Sequence, residues 1–299
     1  MGEASSSRMP PPAGEAGLVE VLSPSPQTVP FVFASPHSGS TYLTDFLEAS
    51  ALDPATLRRS EDCFVDRIFG SVPAHGAPMV RALFPRAYVD VNREPYELDP
   101  GMFEDPLPDY ANTRSVHVAA GIGTIARNVA ADIEIYARKL RFAEAEQRIE
   151  TCYRPYHRIL KTLIHSTWSY FGCCVLVDCH SMPPGEIPIG RTEAEAGVDF
   201  VLGDRFGSSC APALTLTAEA ALTGMGYRVA RNIPYSGGYT TRHYGRPRRR
   251  VHVLQIEINR KLYLDNIHYA PLPSMATLTE NVDRMVAALV ALTPRDLEA

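Results

Sequence analysis

From Val29 onward, short apolar runs that read as β-strands alternate with helical patterns, and no long linker interrupts them. That alternation restricts the architecture more than any other property of the chain. Strands joined through helices form a mainly parallel sheet with helices on both faces. The strand-like runs are Val29 to Ala34, Pro78 to Phe84, Ala87 to Val91, Cys173 to Val177, Val201-Leu202, Tyr227 to Ala230 and Val251 to Ile258. Helices are expected over Leu57 to Phe69 and Ala211 to Leu222. A last helix carries Leu278, Val282, Met285, Val286 and Leu289 on one face, with Ser274 as its N-cap. The strongest periodicity is that of Ile149, Cys152, Tyr153, Tyr156, Leu160, Leu163, Ile164, Thr167, Trp168 and Phe171, whose three-and-four spacing marks one buried helix face. Gly172 stops that helix before the next strand begins. The expected fold class is α/β, a three-layer sandwich with a central mainly parallel or mixed sheet flanked by helices.

The chain's 299 residues suffice for one large α/β domain, expected over residues 18–294. Residues 1–17, with three consecutive prolines and little apolar content, are expected to be a disordered tail, and residues 295–299 a short C-terminal one. A formal net charge of −5 disfavours a general nucleic-acid binder, although a basic run at Arg246, Arg248, Arg249 and Arg250 reads as a solvated loop. No apolar run reaches membrane-spanning length, and the N-terminal stretch lacks the apolar core of a secretory signal. Six cysteines without paired spacing suit a reducing cytoplasm rather than a disulfide framework. The expected partner is therefore a small molecule, not nucleic acid or membrane, for a monomer or small homo-oligomer.

Two histidines follow strand-like runs: His37 in Pro36-His37-Ser38-Gly39, and His180 in Asp178-Cys179-His180-Ser181. Residues at the carboxyl ends of strands in an open α/β sheet line the ligand crevice. Two imidazoles delivered there suit a divalent metal, with zinc the usual occupant of a His/His/carboxylate set. The third ligand is Glu61 or Asp62, adjacent on the expected helix, of which only one is placed to reach an ion. Alternation along a strand puts Asp178 and His180 on one side and Cys179 on the other, which removes a Cys179–His180 dyad. Glu257 stands between Ile256 and Ile258, and a carboxylate on an apolar strand is costly unless it is paired or functional. A general base is the functional reading; a buried ion pair is the plain one. Asn92 and Arg93 end the run Ala87 to Val91, and the fork of Arg93 matches a carboxylate, or pairs with Glu94 or Asp90. The loop Asn232 to Tyr239, with Tyr235, Gly237 and Gly238, is placed to cover a pocket, and Arg242 follows as a second anion anchor. Gly121-Ile122-Gly123 lacks a nucleotide fingerprint, and no G-x-S-x-G elbow occurs.

Taken together, PHSG (36–39), SEDCFVDRIF (60–69), PRAYVDVNREP (85–95), RPYHRIL (154–160), VDCHSMP (177–183), DFVLGDRFG (199–207), NIPYSGGYTTRHYG (232–245) and LQIEINRKLYLD (254–265) resemble the N-formylglutamate amidohydrolase family. The resemblance covers nearly the whole chain after Val29. It implies a zinc-carboxypeptidase-like fold and hydrolysis of an N-acyl amide on an acidic amino acid, with formate and glutamate as products for members of the histidine-degradation route. It implies Zn2+, or another divalent ion, on His37, Asp62 and His180, with Asp62 matching the pattern better than Glu61. Glu257 matches the general base, and Asn92 with Arg93 the carboxylate-binding pair. The segment Gly185 to Gly197 departs from the pattern and leaves the acyl group open. The alternatives are a deacylase or peptidase for another N-acyl amino acid, a metal-free binding protein on the same scaffold, and a cysteine hydrolase indifferent to chelators.

Overall fold

Strand polarity and packing in the computed structural model, which describes residues 17–130, 133–185 and 197–298, follow from where the apolar residues fall. The strands up to residue 259 are β1 (Val19–Leu22), β2 (Phe31–Ser35), β3 (Met79–Ala82), β4 (Asn128–Ala130), β5 (Ile133–Glu134), β6 (Cys174–Met182), β7 (Phe200–Gly203), β8 (Val229–Arg231) and β9 (Val251–Asn259). Seven of them form one sheet in the order β1-β3-β2-β6-β9-β7-β8, while β4 and β5 pair separately. The middle of the sheet is parallel; β1 runs antiparallel to β3, and β7 antiparallel to β9.

Each central strand feeds two cores by alternation. Val32 and Ala34 of β2, Cys174 and Leu176 of β6 and Val253 of β9 pack on one face, with Tyr156, Leu160 and Ile164 of the helix Arg154–Phe171. Phe31, Phe33, Val175, Val177, Leu254 and Ile256 pack on the other, against the helices Pro212–Gly224 and Met275–Val290. Full burial of a large apolar side chain stabilises by about 1.5–3 kcal/mol, so both helical layers are held firmly to the sheet. Along β6 and β9 the first face then changes character. Beyond Leu176 come Asp178 and His180, and beyond Val253 come Gln255 and Glu257, all buried. One stripe therefore supplies core at one end and polar groups at the other.

The last helix buries the five residues expected of it, but Ser274 donates to Leu262 O instead of capping. Gly172 closes the long helix at φ 75°, where a side chain would be strained. Two expectations fail. Residues 57–69 are not one helix: Pro54–Leu57 is a short helix capped by Asp53, Arg58–Ser60 is a 3-10 turn, and a helix resumes only at Val65–Ile68. The intervening Asp62 is drawn off by its backbone N–H, which donates to His37 O at 3.0 Å. Ala87 to Val91 is not a strand either. Pro85 O accepts from Tyr88 N in a turn, and Asp90 carboxylate accepts from Asn92 N, so the buried apolar residues there pack a loop. The expected N-terminal tail and the segment 185–197 lie, but for Gly17, Gly185 and Gly197, outside the described residues. Among the described residues all six cysteines are free and buried, and no helix is long and apolar enough to cross a membrane.

Candidate metal centre and active site

His37 leaves the end of β2 in a turn whose geometry depends on Gly39. A Cβ there would collide with the backbone of Leu83 and Phe84, just beyond the adjacent β3. Gly39→Ala is expected to lower stability by about 1–3 kcal/mol, the usual cost of overpacking, and to weaken metal binding with it. Urea unfolding checks this; an unchanged midpoint would show that the turn yields freely.

The turn aims His37 at Asp62 and His180, whose ligand atoms all lie within 4.8 Å of one another. His37 Nδ1 lies 3.4 Å and His180 Nδ1 3.2 Å from Asp62 Oδ2. Two ligands each about 2.0–2.1 Å from a tetrahedral ion stand roughly 3.3–3.4 Å apart, so this spacing fits zinc. The far nitrogens are fixed as well. His37 Nε2 is 2.8 Å from Asp90 Oδ1, and His180 Nε2 is 3.0 Å from Asp178 Oδ2. A carboxylate only accepts, so both Nε2 atoms carry hydrogens; at His37 the Nδ1 lone pair is then left for an ion. His37 Nδ1 is buried without a hydrogen-bond partner, an orphan that a metal would satisfy.

The charges agree. Burial, the largest influence on Asp62, favours the neutral acid, yet the hydrogen bond with His180 and the neighbouring His37 and Arg260 hold its carboxyl well below the usual range. Burial likewise opposes a cationic His180, but Asp178 and Asp62 hold it well above the usual imidazole range. The centre is built for positive charge. Glu61 is excluded from it: its buried carboxylate accepts from Tyr42 Oη, from Arg58 Nε at 3.1 Å and from Cys63 Sγ at 3.2 Å.

A cavity of about 510 Å³ opens over these ligands. Glu257, paired with His180 in the β6–β9 register, lines it, and Gln255 Nε2 donates to its Oε1 at 2.9 Å. Burial pushes the Glu257 carboxyl up to about 7. Such a group takes up and gives back a proton near neutrality. Arg93 also lines the cavity, nine-tenths buried, donating to Ile122 O and Asn92 O. Its nearest carboxylate in an ion pair, Asp90, is 3.9 Å away. The turn Gly121-Ile122-Gly123 holds this arginine through Ile122 O. Asn92 Oδ1 accepts from Thr240 N at 2.8 Å, and a Cβ on Gly238 would collide with the Asn92 amide. Gly238 N in turn donates to Gln255 Oε1, which lays Tyr235, Gly237 and Gly238 along the cavity.

Arg242 is the exception. It is exposed, pairs with Glu94 at 2.5 Å and does not line the cavity, because its helix Tyr239–Tyr244 turns it outward. Four residues at the site escaped the sequence reading. Asp90 and Asp178 orient the histidines, while Arg86 and Arg260 neutralise Asp90 and Asp62 at 2.6 and 3.0 Å. The motif VDCH carried a signal for Asp178, which shares a strand face with His180.

A family model described as N-formylglutamate amidohydrolase matches residues 29–264. An N-formylglutamate deformylase of Pseudomonas aeruginosa is 30% identical, the match covering 91% of this chain and 95% of that one. The crystal structure of an N-formylglutamate amidohydrolase from Ralstonia eutropha JMP134 superposes with a TM-score of 0.87 at 36% identity, covering 93% of this chain and 99% of that one. A protein of Agrobacterium tumefaciens, at 19% identity and a TM-score of 0.64 over 91% and 94% of the two chains, shares the fold.

Proposed function

We propose that this chain, which belongs to the N-formylglutamate amidohydrolase family, is a zinc-dependent hydrolase that releases formate from N-formyl-L-glutamate, a step of histidine degradation. The observation that carries the reading is the convergence of His37, Asp62 and His180 beside Glu257 and Arg93 in one cavity. The formyl group and the glutamate come from its likeness to an N-formylglutamate deformylase and an N-formylglutamate amidohydrolase.

Zinc held by the three ligands would polarise the formyl carbonyl and make water acidic enough to attack it. Glu257 takes the proton of that water as oxygen bonds to the formyl carbon. It then delivers the proton to the amide nitrogen as the carbon–nitrogen bond breaks, leaving formate and glutamate. Gln255 holds the accepting carboxylate in place. Arg93, whose burial lowers its pKa, still carries its charge at neutral pH and binds the carboxylate next to the scissile amide. Asn92 anchors this arginine's segment to the loop at Thr240.

The test is turnover by the zinc-loaded protein of N-formylglutamate, N-acetylglutamate and N-formylmethionine. N-formylglutamate is expected to lead by at least about tenfold. Equal turnover of all three would favour a general deacylase. Arg93→Ala is expected to lower kcat/KM for N-formylglutamate by about a hundredfold, the scale for removing one partner of a desolvated charge pair. N-formylisoglutamine, whose α-carboxylate is an amide, should lose far less in the variant; an equal loss would remove Arg93 from that carboxylate.

A further inference from the structure

Among the described residues four arginines line the cavity: Arg59, Arg86, Arg93 and Arg260. Two are already neutralised, Arg86 by Asp90 and Arg260 by Asp62. Arg93 has only its distant contact with Asp90, and its role at the first carboxylate is argued above. That leaves Arg59, an exposed residue of the turn Arg58–Ser60 for which no ion pair is found among the described residues. Its backbone is fixed, because Arg260 Nη1 donates to Arg59 O at 3.0 Å. The turn packs against β4, where Asn128 is more than nine-tenths buried, lines the same cavity and has an Oδ1 without a partner. Val129 and Ala130 follow it along the cavity and offer an apolar wall. A free guanidinium beside an apolar wall matches a short carbon chain ending in a carboxylate, whereas the Asn128 oxygen, itself an acceptor, does not bind one.

We propose that Arg59 reads the substrate's second, side-chain carboxylate, with Arg93 on the first. This rests on the reading of the chain as a hydrolase for a dicarboxylic N-acyl amino acid. Arg93 stands next to Asn92, whose amide approaches His180 Nε2 to 3.3 Å, so it serves the carboxylate nearest the reacting amide. The exposed Arg59 serves the end that enters last and leaves first. The expectation that Arg242 plays this part is replaced: its charge is spent on Glu94 outside the cavity.

The experiment crosses enzyme and substrate changes. Wild type and Arg59→Gln are assayed on N-formylglutamate and N-formylglutamine, and the affinity of each for glutarate is measured by calorimetry. Arg59→Gln is expected to lower kcat/KM for N-formylglutamate by about tenfold to a hundredfold, mainly through KM, and to leave N-formylglutamine nearly unchanged. Glutarate should bind wild type at least about tenfold more tightly than Arg59→Gln. Equal losses on both substrates, or unchanged glutarate affinity in Arg59→Gln, would overturn the subsite. If wild type turns over neither substrate, the hydrolase reading fails, and glutarate binding alone then decides for or against Arg59.

Discussion

Glu257→Gln is expected to keep the fold and the bound metal while kcat falls by about a hundredfold to ten-thousandfold, the range for a lost general base. The substitution preserves shape in a strand that tolerates little change, since Glu257 is paired to His180 on one side and Val201 on the other. Gln255 Nε2 can still donate to the retained carbonyl oxygen. Burial disfavours the charge that the variant removes, so thermal stability should hold or rise. Loss of turnover with unchanged metal content and an equal or higher melting temperature is therefore the signature of a base. Near-normal kcat would assign proton transfer elsewhere and leave Glu257 a structural acid.

His37→Ala and His180→Ala should each abolish stoichiometric zinc and, with it, turnover. Three protein ligands are the usual complement of a catalytic zinc, and the loss of one leaves too few to hold it. Each substitution also strands a carboxylate, Asp90 or Asp178, that had oriented the imidazole. The comparison that discriminates is between the neighbouring acids. Asp62→Ala should lose metal, whereas Glu61→Ala should retain it and lose stability instead, because Tyr42, Arg58 and Cys63 would lose their buried acceptor. Metal content by elemental analysis with unfolding curves on the four variants settles the order. Full occupancy in both histidine variants would overturn the centre.

Periodicity made the sheet and its long helices legible, because alternation and three-and-four spacing report burial directly. His180 and Glu257 were readable for the same reason: each interrupts an apolar strand at a place where only a function or a partner offsets the cost. The choice between Glu61 and Asp62 was not readable locally. A long-range bond from Asp62 N to His37 O sets that segment's conformation, and no spacing rule encodes it. Residues 85–93 misled for a related reason. Their apolar residues are buried, as a strand's would be, but Pro85 starts a turn and Asp90 is occupied by His37 and Arg86. Arg59 carried no signal, since a lone arginine on a polar turn differs from a solvated one only by the cavity beside it.

The alternation along β6 and β9 has a consequence for how such a protein can change. His180 and Glu257 are side by side on two central strands whose earlier residues form the core, so breaking that pair means breaking the sheet. Arg59, Asn92 and Arg93 stand on turns and loops outside it. Reactivity is thus tied to global unfolding, and selectivity to segments that open or mutate at little expense to the whole. A lineage built on this scaffold is free to explore new acids by altering its periphery, inheriting a hydrolytic centre that it need not reinvent.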